Sequence, residues 1–447
     1  MTKRQKITAF LLCATLVFAC LLSGCSGNES SNDTDANNSS SENKTEKSAD
    51  SGKKVTLSMM YWDQVQKPAI DKMIASFEKD NPNIKVEATI VPWAQYWEKL
   101  QTTTVGNNAP DVFWMNIPNF PKYADNGSLL ELQKYIDRDG VDVSNYPKDL
   151  IDGYSYNDKV YAVPEQYDTI ALVYNKEIFD KAGIKYPDDT WTWDTLRENA
   201  KKLTVKGDDG KVTQYGFASV NANQSGYYNF MVMNGGGMIS EDHKTSLFDK
   251  PESIEAVQFL LDLIYKDGVS PTGQQMIDTT GEDLFNSGKV AMTTIGSWYV
   301  PIAYEALGDK VAVAPLPMSP NTNERKTIIH GLSWAGYAKT KHPEETWKLI
   351  NHLISKDSMA LLAKEGITIP SYKGMEGDWV NSIPSMNLQV FIDAASYSYP
   401  YPVSLKSAEW MDVEAKELTD AWMNKQNADQ AMKKIAKQMN EILASEK

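Results

Sequence analysis

Trp62-Asp63, Trp93 with Tyr96, and Trp114 with Asn116 and Asn119 each close or follow a short apolar run, so aromatic rings and hydrogen-bonding groups recur together along the chain. The same residue types gather again at Glu165, Tyr167 and Asp168, at Tyr227-Tyr228, and at Trp298, Trp334, Tyr372 and Trp410. Flat rings stack on the apolar faces of sugar rings, while carboxylates and amides hydrogen-bond hydroxyls. A mostly apolar cleft with a few placed polar groups is the general form of a small-molecule site. The same rings also cage cationic amines. The chain holds 12 Trp and 22 Tyr, an excess that must go into cores, interfaces or stacking surfaces. About half of the strand-end tryptophans are expected to be ordinary core residues.

Other chemistries lack their signatures. His243, His330, His342 and His352 stand at no metal-ligand spacing, and each reads most simply as a surface or loop residue. No GxSxG nucleophile elbow and no GxGxxG fingerprint is present. Gly235-Gly236-Gly237 is not followed by Gly-Lys-Ser/Thr and reads as a helix stop and turn. Plentiful carboxylates leave a glycosidase pair open, because such pairs are defined by separation in space. No metal and no cofactor is expected.

The first 25 residues carry an address. Lys3, Arg4 and Lys6 precede an apolar run over 7–22, too short for a membrane span and ending in small residues, which is a signal-peptide pattern. Leu22-Ser23-Gly24-Cys25 resembles a bacterial lipobox, which implies cleavage after residue 24 and a lipid on Cys25. Two acyl chains suffice for stable anchoring. The three cysteines all lie in this leader, so the mature domain has no disulfide and no thiol chemistry. Residues 25–52 are rich in Ser, Asn and Asp and cannot bury enough surface to fold, so they read as a disordered tether. A tether of this length points to the outer face of a Gram-positive cell. The net charge of −14, about −17 once the leader is removed, argues against nucleic acid or an anionic lipid surface as partner.

The elements that must position the aromatic and polar groups follow from periodicity. Strands are predicted over 54–61, 84–91 and 111–115, with amphipathic helices over 68–81 and 93–104 between them. This β-α-β-α-β alternation predicts an open, mostly parallel sheet with ligands at the strands' carboxyl ends. Roughly 395 residues after the tether are too many for one core, so two lobes are expected. The stretch 161–176, YAVPEQYDTIALVYNK, holds two strand-like runs around a polar break at 164–168, with Pro164 interrupting the ladder. By itself it reads equally as a hairpin turn or as a crossing between lobes. A nearly complete lobe before it and a new one after it favour the crossing, with 293–298 as its partner on the return.

The ordered set ALVYNKEIFD, WTWDTL, GKVAM…GSW, VAVAPLP and HPEETWKLINHL resembles the extracellular solute-binding proteins of ABC importers, specifically the sugar-binding group that includes maltose-binding protein. The resemblance spans about residues 55–443. It implies an α/β, two-lobed periplasmic-binding-protein-like fold of type II, each lobe a mixed sheet flanked by helices and joined by hinge crossings. The expected division is 53–165 with 296–355 as one lobe and 166–295 with 356–447 as the other. It further implies ligand capture by closure, a monomer that docks on permease subunits, and no catalysis. Carried over, Trp62 and Asp63 stand where the family contacts sugar hydroxyls, and Trp114, Asn116 and Asn119 in the loop after the third strand. Asp168 takes the place of a hinge-side glutamate, and Tyr227 or Tyr228, Trp298 and Trp410 match stacking positions. The family's acid–base pair after the first strand is Asp63-Gln64 here, which leaves the sugar open. The expected function is therefore a lipid-anchored sugar or oligosaccharide receptor. A polyamine or peptide receptor of the same fold, or a surface glycosidase, stands as the alternative.

Overall fold

The computed structural model describes residues 54–446, so the leader, Cys25 and the Ser/Asn-rich segment lie outside the described residues. Strand β1 (Val55–Tyr61) buries Val55, Leu57 and Met59 and turns Thr56 and Ser58 outward, the period-two pattern of a half-covered strand. Helix α1 (Lys67–Asp80) lays Ile70, Met73, Ile74 and Phe77 on the core, as their spacing predicts. Strand β2 (Ile84–Ile90), helix α2 (Trp93–Val105) and the wholly buried β3 (Val112–Asn116) complete the first unit. Both β2 and β3 run parallel to β1, so the carboxyl ends of three strands open on one side.

Strands β4 (Ala162–Asp168) and β5 (Ile170–Asn175) are separated by Thr169 alone. The remaining principal elements are α3 (Tyr228–Met233), α4 (Pro251–Tyr265), β6 (Met292–Gly296), β7 (Val311–Ala314) and β8 (Thr327–Gly336). After them come α5 (Pro343–Leu353), α6 (Lys356–Lys364), β9 (Ile369–Pro370), β10 (Ser398–Pro400), α7 (Ser407–Trp422) and α8 (Ala428–Leu443). The larger sheet has seven strands in the order β9-β4-β8-β3-β1-β2, with β10 added beside β8; the smaller has three, β6-β5-β7. Since β4 and β5 belong to different sheets, 161–176 is a crossing between lobes and not a hairpin.

Three sequence expectations are corrected. The polar segment 164–168 is no break: it is the body of β4, paired with β8 on one side and β9 on the other. Its proline is accommodated by a β-bulge. Leu332 faces Gln166 and Ser333 faces Pro164, so Glu165 is the extra residue, and no ladder bond is asked of the proline nitrogen. Next, 293–298 does not return the chain to the first lobe, because β6 and then β7 both pair with β5; the return runs through 315–326. The expected boundary at residue 296 therefore lies too early. Finally, 356–447 does not lie in one lobe. Helix α6 packs on α1 and β9 pairs with β4 in the first lobe, whereas α7 and α8 pack on each other and α8 on α4 in the second. The chain crosses three times.

The crossings meet at two threonines. Ile170, the first residue beyond the β4–β5 junction, donates its N–H to Thr327 Oγ1 at 2.9 Å, while Thr169 Oγ1 donates to the Phe391 carbonyl at 2.7 Å. Ser297 N–H donates to the Thr169 carbonyl at 3.1 Å. Side-chain and loop partners thus satisfy backbone groups that have left one ladder and not yet joined the next.

The bulge re-aims Glu165 into the core, where Trp114 Nε1 donates to its Oε2 at 3.1 Å and its Oε1 has no partner among the described residues. Burial pushes this carboxyl up to about 7; the nearby Trp334 indole, Trp114 and the Gln166 amide offset part of that, although Trp334 Nε1 is not aligned for a hydrogen bond. With the folded value raised above the unfolded one, the folded state keeps a proton that the unfolded chain releases. Stability is therefore lost as pH rises from about 4.5 through about 7, by on the order of 3 kcal/mol for this group. Urea unfolding of Glu165→Gln at acid and at alkaline pH should show that much less of the wild-type decline. An unchanged decline would remove Glu165 as its source.

Candidate ligand-binding cleft

A cavity of about 520 Å³ opens between the two sheets at the carboxyl ends of β1 and β3. From the first lobe come Trp62, Asp63 and Gln66 after β1, Trp93 and Trp97 on α2, and Asn116, Pro118 and Asn119 at the end of β3. The crossing strand adds Gln166, Tyr167 and Asp168, and β8 adds His330 and Leu332. Asn223, Gln224, Ser297, Trp298 and Met411 face them from the second lobe, with Thr368 and Tyr401 at the junction.

Trp62 is the centre of the aromatic wall. Its ring lies 4.7 Å from Trp114, 4.8 Å from Tyr96, 5.0 Å from Trp93 and 5.8 Å from Trp97, mostly edge to face. Such pairs add about 0.5–1.5 kcal/mol each beyond area burial and fix the ring planes. Trp93, 53 % exposed, and Trp298, 37 % exposed, present indoles from the two lobes. Trp298 stands in a 3-10 turn, Ser297–Tyr299, directly after β6, with its six-membered ring folded back over Gly296. A Cβ at residue 296 would lie about 1.8 Å from that ring, so only glycine permits this pose.

The polar groups are held in chains. Asp63 Oδ1 accepts from Val65 N–H at 2.7 Å and Oδ2 from Gln66 Nε2 at 3.2 Å. Gln66 and Gln166 exchange amide hydrogen bonds at 3.3 and 3.0 Å, and Gln166 Nε2 reaches Glu165 at 3.5 Å. Asn116 Oδ1 accepts both the backbone and the side-chain N–H of Asn119, at 3.2 and 2.9 Å. Asp168, last residue of β4, is bonded from both lobes: Gln224 Nε2 donates to Oδ1, and His330 Nδ1 lies 3.2 Å from Oδ2. Burial raises the Asp168 carboxyl, and the charge and hydrogen bond of His330 and the Gln224 amide lower it. Three buried polar atoms of residues that border the cavity have no partner among the described residues: Trp97 Nε1, Ser297 Oγ and Thr368 Oγ1. Native structures rarely leave such groups unpaired.

Of the sequence candidates, Trp62, Asp63, Trp93, Asn116, Asn119, Tyr167, Asp168 and Trp298 line this cavity. The others do not, and each is corrected to a packing role. Trp114 and Trp334 are cross-strand neighbours on β3 and β8, fully buried with rings 5.4 Å apart. Tyr96 is buried beneath Trp62, donating to the Trp114 carbonyl at 2.8 Å. Glu165 is sealed in its bulge. Tyr227 and Tyr228 donate to the two oxygens of Glu414, Trp410 Nε1 donates to Ser404 Oγ at 2.9 Å, and Tyr372 packs on Tyr146. His330 is also corrected: it is no surface or loop residue but a buried position of β8 beside Asp168.

Several lining residues escaped the sequence reading. Trp97 lies one helical turn beyond Trp93, and that i, i+4 spacing was the signal for it. Asn223 and Gln224 open an irregular π-type turn, Asn223–Tyr227, whose Gly226 is non-helical, and no local pattern marks it. Tyr401 and Thr368 arrive through long-range topology. Among the described residues no helix is long and apolar enough to cross a membrane, and no cluster of three or more His, Cys, Asp or Glu is placed to hold a metal ion.

Comparison with known proteins agrees with this architecture. The multiple sugar-binding protein of Streptococcus mutans is 25 % identical over 78 % of this chain and 83 % of its own. A candidate binding protein of Brucella abortus (strain 2308) is 25 % identical over 89 % of this chain and 94 % of its own. The substrate-binding protein Lmo0181 of Listeria monocytogenes, solved in complex with cycloalternan, superposes with a TM-score of 0.82 at 24 % identity, covering 88 % of this chain and all of that one, so the maltose-binding-like two-lobed fold is shared. The family model for bacterial extracellular solute-binding proteins matches residues 61–360, and the chain belongs to that family.

Proposed function

We propose that the chain is the ligand receptor of an ABC importer and captures an uncharged oligosaccharide in the cleft between its lobes. The observation that carries this reading is the pair of exposed indoles, Trp93 from one lobe and Trp298 from the other, on a cavity edged by the amides of Asn116, Asn119, Asn223 and Gln224. A ligand with apolar ring faces and a hydroxyl fringe satisfies both at once. The S. mutans relative is a multiple sugar-binding protein, and Lmo0181 was solved with a cyclic oligosaccharide, which supports the same ligand class. Both cleft carboxylates are already engaged, Asp63 by Val65 and Gln66, Asp168 by His330 and Gln224, which weighs against a polyamine. Among the described residues no Lys or Arg lines the cleft, and its imidazole, His330, already faces Asp168, so an acidic sugar would be desolvated without a free cation to meet it.

Contacts from both lobes favour the closed state, and the ligand shifts the equilibrium by its differential affinity. The lipobox-like Leu22-Ser23-Gly24-Cys25 supports a lipid anchor on the outer face of the membrane, from which the loaded receptor delivers its sugar to the permease.

Neutral oligosaccharides should raise the melting temperature, since a ligand at about 100 times its Kd adds about 2.7 kcal/mol. Uronate oligomers, spermidine and peptides should leave it unchanged; a rise with spermidine alone, or release of shortened sugar, would overturn the reading. Trp93→Ala and Trp298→Ala should each weaken affinity by about 1–3 kcal/mol, roughly 5- to 150-fold, measured by calorimetry with unchanged urea unfolding. Trp410→Ala should do the reverse, lowering stability by about 3–5 kcal/mol. In a Gram-positive host, Cys25→Ser should move the protein from the membrane fraction to the medium, and retention would count against the anchor.

A further inference from the structure

Behind the second-lobe wall lies a carboxylate that none of the ligand chemistry uses. Glu414 is fully buried on α7, and its Oε1 and Oε2 accept from the hydroxyls of Tyr227 and Tyr228 at 2.5 and 2.6 Å. Tyr227 ends the irregular turn that Asn223 and Gln224 begin, and both of those line the cleft. Tyr228 packs edge to face on Tyr401, which also lines the cleft, and Met411 lies one turn before Glu414 on the same helix. The far side of the turn is tied to the hinge. Asn229 Nδ2 donates to the carbonyls of Gln224 and Gly226 at 2.7 and 3.0 Å, while its Oδ1 accepts from Ile328 N–H at 2.9 Å. The turn is therefore suspended between two buried side chains, one on the hinge strand side and one on α7.

We propose that Glu414 is a positioning residue for the cleft: its two oxygens hold Tyr227 and Tyr228 together, and with them the turn that presents Asn223 and Gln224 to the ligand and to Asp168. The inference rests on this cleft being the ligand site. The titratable groups facing Glu414 are Tyr227 and Tyr228 from the turn and α3, and Tyr401 from the segment after β10; Asp168 faces Tyr401 in turn. Among the described residues no cation reaches Glu414. Burial raises its carboxyl to about 7, and the two tyrosine hydroxyls offset part of that rise. Because the held turn raises this carboxyl, the held form keeps a proton that an opened, hydrated turn releases. When the group ionises above neutrality, its buried charge costs free energy that the turn recovers by opening. Acidification through neutrality thus tightens the turn, with the same sign as the effect of Glu165.

Deuterium exchange of peptides spanning 220–233, corrected for intrinsic rates and read at about pH 6 and pH 8, tests this without any sugar. Wild-type protection there should rise several-fold on acidification, beyond any gain at 55–61 in β1. Glu414→Gln, which cannot ionise, should show the same protection at both pH values, and Tyr227→Phe should lower protection at both with the carboxylate intact. With maltotriose as probe, affinity at pH 6 should exceed that at pH 8 several-fold in the wild type and show no such ratio in Glu414→Gln. Wild-type behaviour of Glu414→Gln, or a gain of protection shared equally by 55–61, would overturn the proposal. Because the exchange comparison needs no ligand, the role of Glu414 in holding the turn stands or falls independently of the sugar assignment.

Discussion

The rest of the structure depends on the handover of backbone hydrogen bonds at Thr169. One residue after β4 ends in the seven-stranded sheet, β5 begins in the three-stranded sheet. A buried N–H cannot be left unpaired while the chain changes sheets, and the group that takes the Ile170 N–H is the side chain of Thr327, first residue of the returning strand. The outward and return crossings are therefore one joint. Under the proposed closure, this joint is where the lobes would bend. Everything that lines the cleft is arranged around that joint: Asp168 immediately before it, His330 three residues past Thr327, and Gln224 reaching over from the second lobe.

The first lobe was legible residue by residue because its information is local. Periodicity alone placed β1, α1, β2, α2 and β3 to within a residue or two, and parallel pairing with ligand groups at carboxyl ends followed from their alternation. The crossing was legible too, not in its own residues, which read equally as a hairpin, but in the nearly complete lobe before it and the new one after it. What local composition hid was the strand nature of Pro-Glu-Gln-Tyr-Asp. A proline and two acids read as a break, yet a bulge absorbs the proline and the core absorbs Glu165. The division of the C-terminal part was hidden for a different reason. Whether β7, β9 or α6 belongs to one lobe or the other is set by partners more than 100 residues away, and nothing in their own sequence records it.

The candidate site was half legible, and the half that failed has one physical cause. Aromatic residues near a sheet's carboxyl edge come in two tiers that composition does not separate. Trp62, Trp93 and Trp298 face the cavity; Trp114, Trp334 and Tyr96 lie beneath, pressed against Trp62 or against each other. A stacking surface works only if its ring planes are fixed before the ligand arrives, since ordering a loose ring would offset part of the binding free energy. The lower tier supplies that fixation, so the same excess of tryptophan serves both binding and packing.

The same two-tier logic extends to the acids. Asp63 and Asp168 stand at the surface of the cleft, whereas Glu165 and Glu414 sit one layer deeper, each pushed up to about 7 by burial and each joined to the cleft through hydrogen-bonded side chains. Glu165 connects through Gln166 and Gln66 to Asp63, on the first lobe. Glu414 connects through Tyr227 to the turn bearing Gln224, on the second. Apolar residues at either place would pack without a desolvation penalty, so neither acid is there for stability alone. Their placement gives each wall of the cleft a rigid polar spine whose hydrogen-bond directions are set from inside, leaving the surface groups oriented toward whatever enters between the lobes.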